Sequence, residues 1–173
     1  FVTARGKSAL EDYFDHSPEL ENTLRKAGKT DLLEILKDTN MDSGAIAYVR
    51  QNRAMGLGHA VWCAQRLIGN EPFAVLLPDD LIWNRGPGAL SQMADAAEAS
   101  GASQIAVQNV PHEQTGSYGI VDTEAFSGRE GRISAIVEKP APDIAPSNLA
   151  VVGRYILSPR IFDFLENTTP GAG

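Results

Sequence analysis

The chain has 173 residues, 43% hydrophobic and 21% charged, an ordinary composition for a globular protein with a sizeable core. Its formal net charge of −7 argues against a nucleic-acid surface, which needs a basic footprint, although metal ions and a few placed cations still allow a nucleotide ligand. No apolar run is long enough to cross a membrane, no signal-peptide pattern opens the chain, and the single cysteine, Cys63, cannot form an internal disulfide; a reducing cytoplasm is the expected setting.

Strand-like apolar runs alternate with helical patterns, which predicts an α/β layer fold. Phe1–Thr3 reads as the end of a strand and Lys7–Phe14 as a short helix, with Ala9, Leu10, Tyr13 and Phe14 at helical spacing. Ser17 and Pro18 read as an N-cap followed by proline at the first helical position. The segment Glu19–Lys37 is helical, and Gly28 interrupts it, giving two helices or one kinked one. Ala45–Arg50 is a predicted strand, and Gly58–Ile68 a predicted helix that Gly69 and Asn70 end. The continuous apolar run Phe73–Leu77 predicts a strand in a buried parallel position. An alanine-rich helix over Gly88–Ser100 and a strand over Gln104–Asn109 follow. Beyond Pro111, Tyr118–Asp122, Arg132–Glu138 and Leu149–Leu157 read as strands without long helices between them, so the sheet should be mixed, with an antiparallel portion. Ala141–Pro146 reads as a surface loop and Pro159–Leu165 as a short closing helix. Neither a repeat nor a long linker is visible, and a single domain is expected.

The densest chemical signal lies between Arg50 and Asp80. Gly56 and Gly58 lack a Cβ, so backbone there can approach a planar or phosphorylated ligand. The helix that follows offers unpaired N–H groups and the positive end of its dipole. Asp79 and Asp80 come just past the carboxyl end of a strand, where open α/β sheets place ligands, and their oxygens suit Mg²⁺. The same pair could merely solvate a turn or cap the next segment. Gln51 carries an amide able to pair with a base edge; the bland alternative is a strand-end glutamine before a flexible turn. His59 stands inside the glycine turn, placed either to contact a ligand or to pack and cap locally. Cys63 reads as a packed residue rather than a nucleophile. His16 and His112 have no ligand-spaced partners, which argues against zinc. Glu138 and Lys139 would point to opposite faces of a regular strand, and Pro140 supplies a bend that could bring both to one ligand; the alternative is an exposed ion pair.

QNRAMGLGHA, LLPDDLIW, SYGIV, IVEKPAP and VVGRYILSP, in this order, resemble the bacterial UTP–glucose-1-phosphate uridylyltransferases (UDP-glucose pyrophosphorylases), a family of sugar nucleotidylyltransferases. FVTARGKSALEDYFD and SPELENTLRKAGKTDLLEIL extend the resemblance over nearly the whole chain. It implies a Rossmann-like nucleotidyltransferase three-layer sandwich with a mixed sheet, and a homo-oligomer. It also implies UTP and glucose 1-phosphate as substrates, UDP-glucose as product and Mg²⁺ as cofactor. Gln51 and Gly56 look like the uracil contacts, with Gly58, His59 and Asp80 in the nucleotide site. Asp79 matches the metal-binding aspartate, and Gly119, Glu138 and Lys139 look like glucose-phosphate contacts. Gly153 would permit close approach to the sugar. The family's glycine-rich triphosphate loop has no counterpart here, and the family continues beyond TTPGAG; the resemblance therefore implies a central portion that is inactive, or nearly so, in isolation. The rival expectations are a relative using dTTP, CTP or GTP, and a noncatalytic nucleotide-sugar-binding remnant.

Overall fold

The computed structural model describes residues 1–168; residues 169–173, the close of the TTPGAG run, lie outside the described residues. In chain order the elements are β1 (Val2–Thr3), α1 (Ser8–Tyr13), α2 (Pro18–Lys26), α3 (Thr30–Thr39), β2 (Val49–Arg50), α4 (Gly56–Cys63), α5 (Gln65–Ile68), β3 (Phe73–Leu76), α6 (Ala89–Ser100), β4 (Gln104–Asn109), β5 (Gly119–Ser127), β6 (Glu130–Glu138), β7 (Leu149–Leu157) and α7 (Ile161–Glu166). They form two compact units, one of Phe1–Gly69 with the chain from Phe162 onward, the other of Asn70–Ile161. The α/β class and the mixture of parallel and antiparallel pairing match the expectation.

In the first unit β1 and β2 pair in parallel, Val2 opposite Val49 and Thr3 opposite Arg50. The strand expected over Ala45–Arg50 is confined to its last two residues. Ala45 N–H instead closes a turn onto the Asp42 carbonyl at 2.9 Å, and β1 offers only two residues to pair with. The helical segment divides into α2 and α3 at Gly28, whose φ of +67° a side chain would resist. Ser17 stands at the N-cap of α2 with Pro18 first in the helix, but its side chain makes no capping bond. The helix expected over Gly58–Ile68 begins earlier, at Gly56, and is two helices. Ala64 N–H turns to the Val61 carbonyl at 3.0 Å, tightening the backbone there, and Gly69 at φ +66° ends α5.

In the second unit β7 is the central strand. β4 runs along it, from Gln104 opposite Ile156 to Asn109 opposite Leu149. β3 pairs with its later half, Phe73 opposite Leu157 through Leu76 opposite Arg154, and β5 meets its earlier half at Ile120 and Ala150. A strand has two edges, and β4 covers one over both stretches, so β3 and β5 share the other. β5 and β6 form the remaining hairpin, and every described pair in this sheet is antiparallel. The buried parallel strand expected over Phe73–Leu77 is thus an antiparallel strand, with Leu76 52% exposed. An apolar run does not encode pairing direction; the path that lays β7 beside it does. Val110, Ile120 and Ala150 form the buried cluster, and Tyr118 packs against it.

Candidate functional site

In the first unit, β2 delivers Gln51 to the turn that opens α4. Gln51 N–H bonds the Thr3 carbonyl at 2.8 Å, which anchors its backbone to β1. Its side-chain Nε2 donates to the Gly56 carbonyl at 3.1 Å and to His59 Nδ1 at 2.9 Å. The His59 ring stacks on Trp62, with centroids 5.8 Å apart and planes 22° from parallel. Half-buried Cys63 places its sulfur 3.9 Å from the same Nδ1. The two glycines differ. Gly56 takes φ +84°, and a Cβ there would meet nothing within 4 Å, so its outer side is open to a ligand. A Cβ at Gly58 would lie 2.9 Å from Leu165 Cδ2, so its missing side chain makes room for α7.

In the second unit, the turn after β3 carries Asp79 and Asp80, and β7 grips it. Leu77 N–H bonds the Gly153 carbonyl at 2.8 Å, and Gly153 N–H bonds Asp80 Oδ2 at 2.8 Å. Arg154 Nη1 donates to the carbonyls of Leu77 and Gly153, each at 2.8 Å, and Nη2 donates to the Asp80 carbonyl. Asp80 is thereby engaged in holding the turn, whereas Asp79 is exposed and makes no hydrogen bond among the described residues. A Cβ on Gly153 would sit 2.6 Å from both Asp80 Oδ2 and Leu77 Cβ. The space that a side chain at Gly153 would need is taken up by Asp80 and Leu77.

Gly119 pairs with Glu138 across β5 and β6, and a Cβ on Gly119 would lie 3.3 Å from Glu138 Oε2. The bend expected before Pro140 falls at Lys139, whose φ of +45° is the one left-handed value outside glycine among the described residues. Lys139 N–H bonds the Tyr118 carbonyl at 3.0 Å, fixing the bend, and its Nζ lies 3.8 Å from Glu138 Oε1. Both groups are exposed and turned to one neighbourhood. Half-buried Tyr155 feels these carboxylates: burial raises its phenol pKa most, followed by the charges of Asp80, Glu138 and Asp79.

Arg154 and Tyr155 were not among the residues singled out by sequence. The signal was present, since an arginine inside the apolar strand LAVVGRYIL must find partners for its donors. Among the described residues no group of three or more His, Cys, Asp or Glu could hold a metal. Mg²⁺ is commonly held by one or two carboxylates while water and phosphate oxygens complete its shell, and the exposed carboxylate of Asp79 fits that donor set.

The first unit thus carries a glycine turn at a helix start, and the second a carboxylate turn at a strand end. The model of the family described as nucleotidyl transferase matches residues 15–172, and the chain belongs to that family. It is 50% identical to the UTP–glucose-1-phosphate uridylyltransferase of Bacillus subtilis (strain 168), over 99% of this chain and 58% of that protein. The uridylyltransferase of Staphylococcus haemolyticus (strain JCSC1435) is 49% identical, over 99% of this chain and 59% of its own length. Among solved structures, the UTP-bound UGPase from Acinetobacter baumannii superposes with a TM-score of 0.87 at 43% identity, over 96% of this chain and 60% of that one. A UDP-glucose pyrophosphorylase complexed with UDP-glucose gives a TM-score of 0.81 at 42% identity, over 98% and 61%. The Rossmann-like nucleotidyltransferase fold is thereby that of this chain. The chain spans about three fifths of the length of these relatives.

Proposed function

We propose that the protein joins UTP and glucose 1-phosphate into UDP-glucose and pyrophosphate. The observation that carries this reading is the clamped turn of the second unit, which leaves Asp79 exposed while Tyr155 feels Asp79, Asp80 and Glu138 together. The names of the relatives, and the UTP and UDP-glucose in their solved structures, support the choice of base and sugar.

A phosphate oxygen of glucose 1-phosphate attacks the α-phosphorus of UTP, and the bond to the leaving pyrophosphate breaks on the opposite side. The nucleophile is largely ionised at neutral pH, because the second pKa of a phosphate monoester is about 6, so no strong general base is required. Catalysis then comes from alignment and charge neutralisation. Gln51 and the open backbone of Gly56 take the base. Asp79 holds Mg²⁺, which when bound neutralises phosphate charge, and Asp80 keeps the turn in place. Glu138 accepts from sugar hydroxyls beside Gly119, and Lys139 offers a point charge to the sugar phosphate. A cytoplasmic setting and a homo-oligomeric state complete the proposal. Use of dTTP, CTP or GTP is the neighbouring alternative.

The test is pyrophosphorolysis: UDP-glucose, pyrophosphate and Mg²⁺ supplied, UTP measured, with dTDP-glucose as the control. With the full-length protein UTP should form, and Asp79→Ala should lower the rate about 10²-fold or more. Equal turnover of dTDP-glucose would remove the base assignment. No UTP would remove the activity, and UDP-glucose binding would then favour a noncatalytic role.

A further inference from the structure

The Gly56 carbonyl can only accept a hydrogen bond, so the Gln51 amide must face it with nitrogen rather than oxygen. The second proton of that nitrogen reaches His59 Nδ1 at 2.9 Å, which makes Nδ1 an acceptor and places the ring proton on Nε2. Stacking on Trp62 holds the imidazole in this orientation. Both protons of Gln51 Nε2 are then engaged, and Oε1 is the one polar atom left for a ligand.

We propose that His59 is a positioning residue for base choice: it holds the Gln51 amide by its nitrogen, so that the oxygen is the atom offered to the base. The inference rests on the nucleotide reading above and adds a selectivity to it. An amide oxygen accepts from the imide N3–H of uracil or thymine. At the same ring position cytosine presents an acceptor, and two facing acceptors repel. An amide free to flip would offer its nitrogen to cytosine and lose the distinction; Gly56 and His59 together oppose that flip. Uracil and thymine, which share the imide, are not separated by this contact.

The experiment measures dissociation constants for UTP and CTP, with Mg²⁺ present, on the full-length protein and its Gln51→Ala, His59→Leu and His59→Asn variants. His59→Leu should narrow the preference for UTP over CTP about tenfold, the scale of one hydrogen bond. His59→Asn, whose side-chain oxygen can accept from Gln51, should recover most of it. If Gln51→Ala collapses the preference and His59→Leu does not, the positioning role falls while the base reading stands. If neither changes the preference, both fall. Equal weakening of UTP and CTP in His59→Leu, with no recovery in His59→Asn, marks a structural role and overturns the proposal. Nitrogen NMR of the unaltered protein gives an answer independent of variant folding: an imidazole protonated on Nδ1 overturns the proposal, and one protonated on Nε2 supports it.

Discussion

Asp79 and Asp80 carry identical groups and differ in what surrounds them. Asp80 is tied to Gly153 N–H at 2.8 Å, while Asp79 stands exposed on the same turn. That contrast depends on Gly153 having no side chain. A methyl group there would lie 2.6 Å from both Asp80 Oδ2 and Leu77 Cβ, so the turn must move or the strand must yield. Overpacking of this kind costs about 1–3 kcal/mol. Gly153→Ala should therefore lower the denaturant midpoint, and lower the pyrophosphorolysis rate by more than the stability loss explains. An unchanged midpoint would mean the turn is not packed against β7 in this way. Both aspartates and Gly153 were legible in the sequence; the packing of Asp80 and Leu77 against Gly153 was not. Which atom fills the space beside a glycine depends on a partner 73 residues away.

At the scale of elements, the β5–β6 hairpin is irregular in a defined manner. Asp122 pairs with Ala135 and Thr123 with Ile133, so β6 holds an extra residue there; Phe126 then pairs with Gly131, so β5 holds one in turn. Gly131 sits where the strands crowd, and a Cβ would meet Phe126 Cδ2 at 2.6 Å and the Ala125 carbonyl oxygen at 2.8 Å. The ring can rotate, but the carbonyl belongs to the backbone and cannot move without disturbing the ladder. Gly131→Ala is expected to destabilise the protein by about 1–3 kcal/mol, and to speed amide exchange in β5 and β6 before other strands. Exchange that rises evenly across all strands would argue against a local effect. Both strands were legible from their apolar runs, although the first was ended at Asp122 and β5 runs on to Ser127; the bulges were not legible, because register depends on both partners.

Over the 173 residues as a whole, the formal charge of −7 opposes the approach of an anion at long range. Raising ionic strength from about 0.01 to 0.15 M shortens the screening length from about 30 to about 8 Å. The association rate of UTP, at fixed Mg²⁺, should hold or rise across that range. A tenfold fall would reveal a local basic funnel stronger than the net charge. The acidic balance was readable from composition alone.

The sequence by itself determined the succession of strands and helices, the breaks at Gly28 and Gly69, and the motifs around Gln51, Asp79 and Glu138. These follow from periodicity and turn chemistry, which act over a few residues. The tertiary structure decided the antiparallel direction of β3, the division of labour between Asp79 and Asp80, and the arginine that clamps their turn. Arg154 and Leu77 stand 77 positions apart. Interactions over that separation exist only once the chain has folded back on itself, and no local pattern in either segment names its partner.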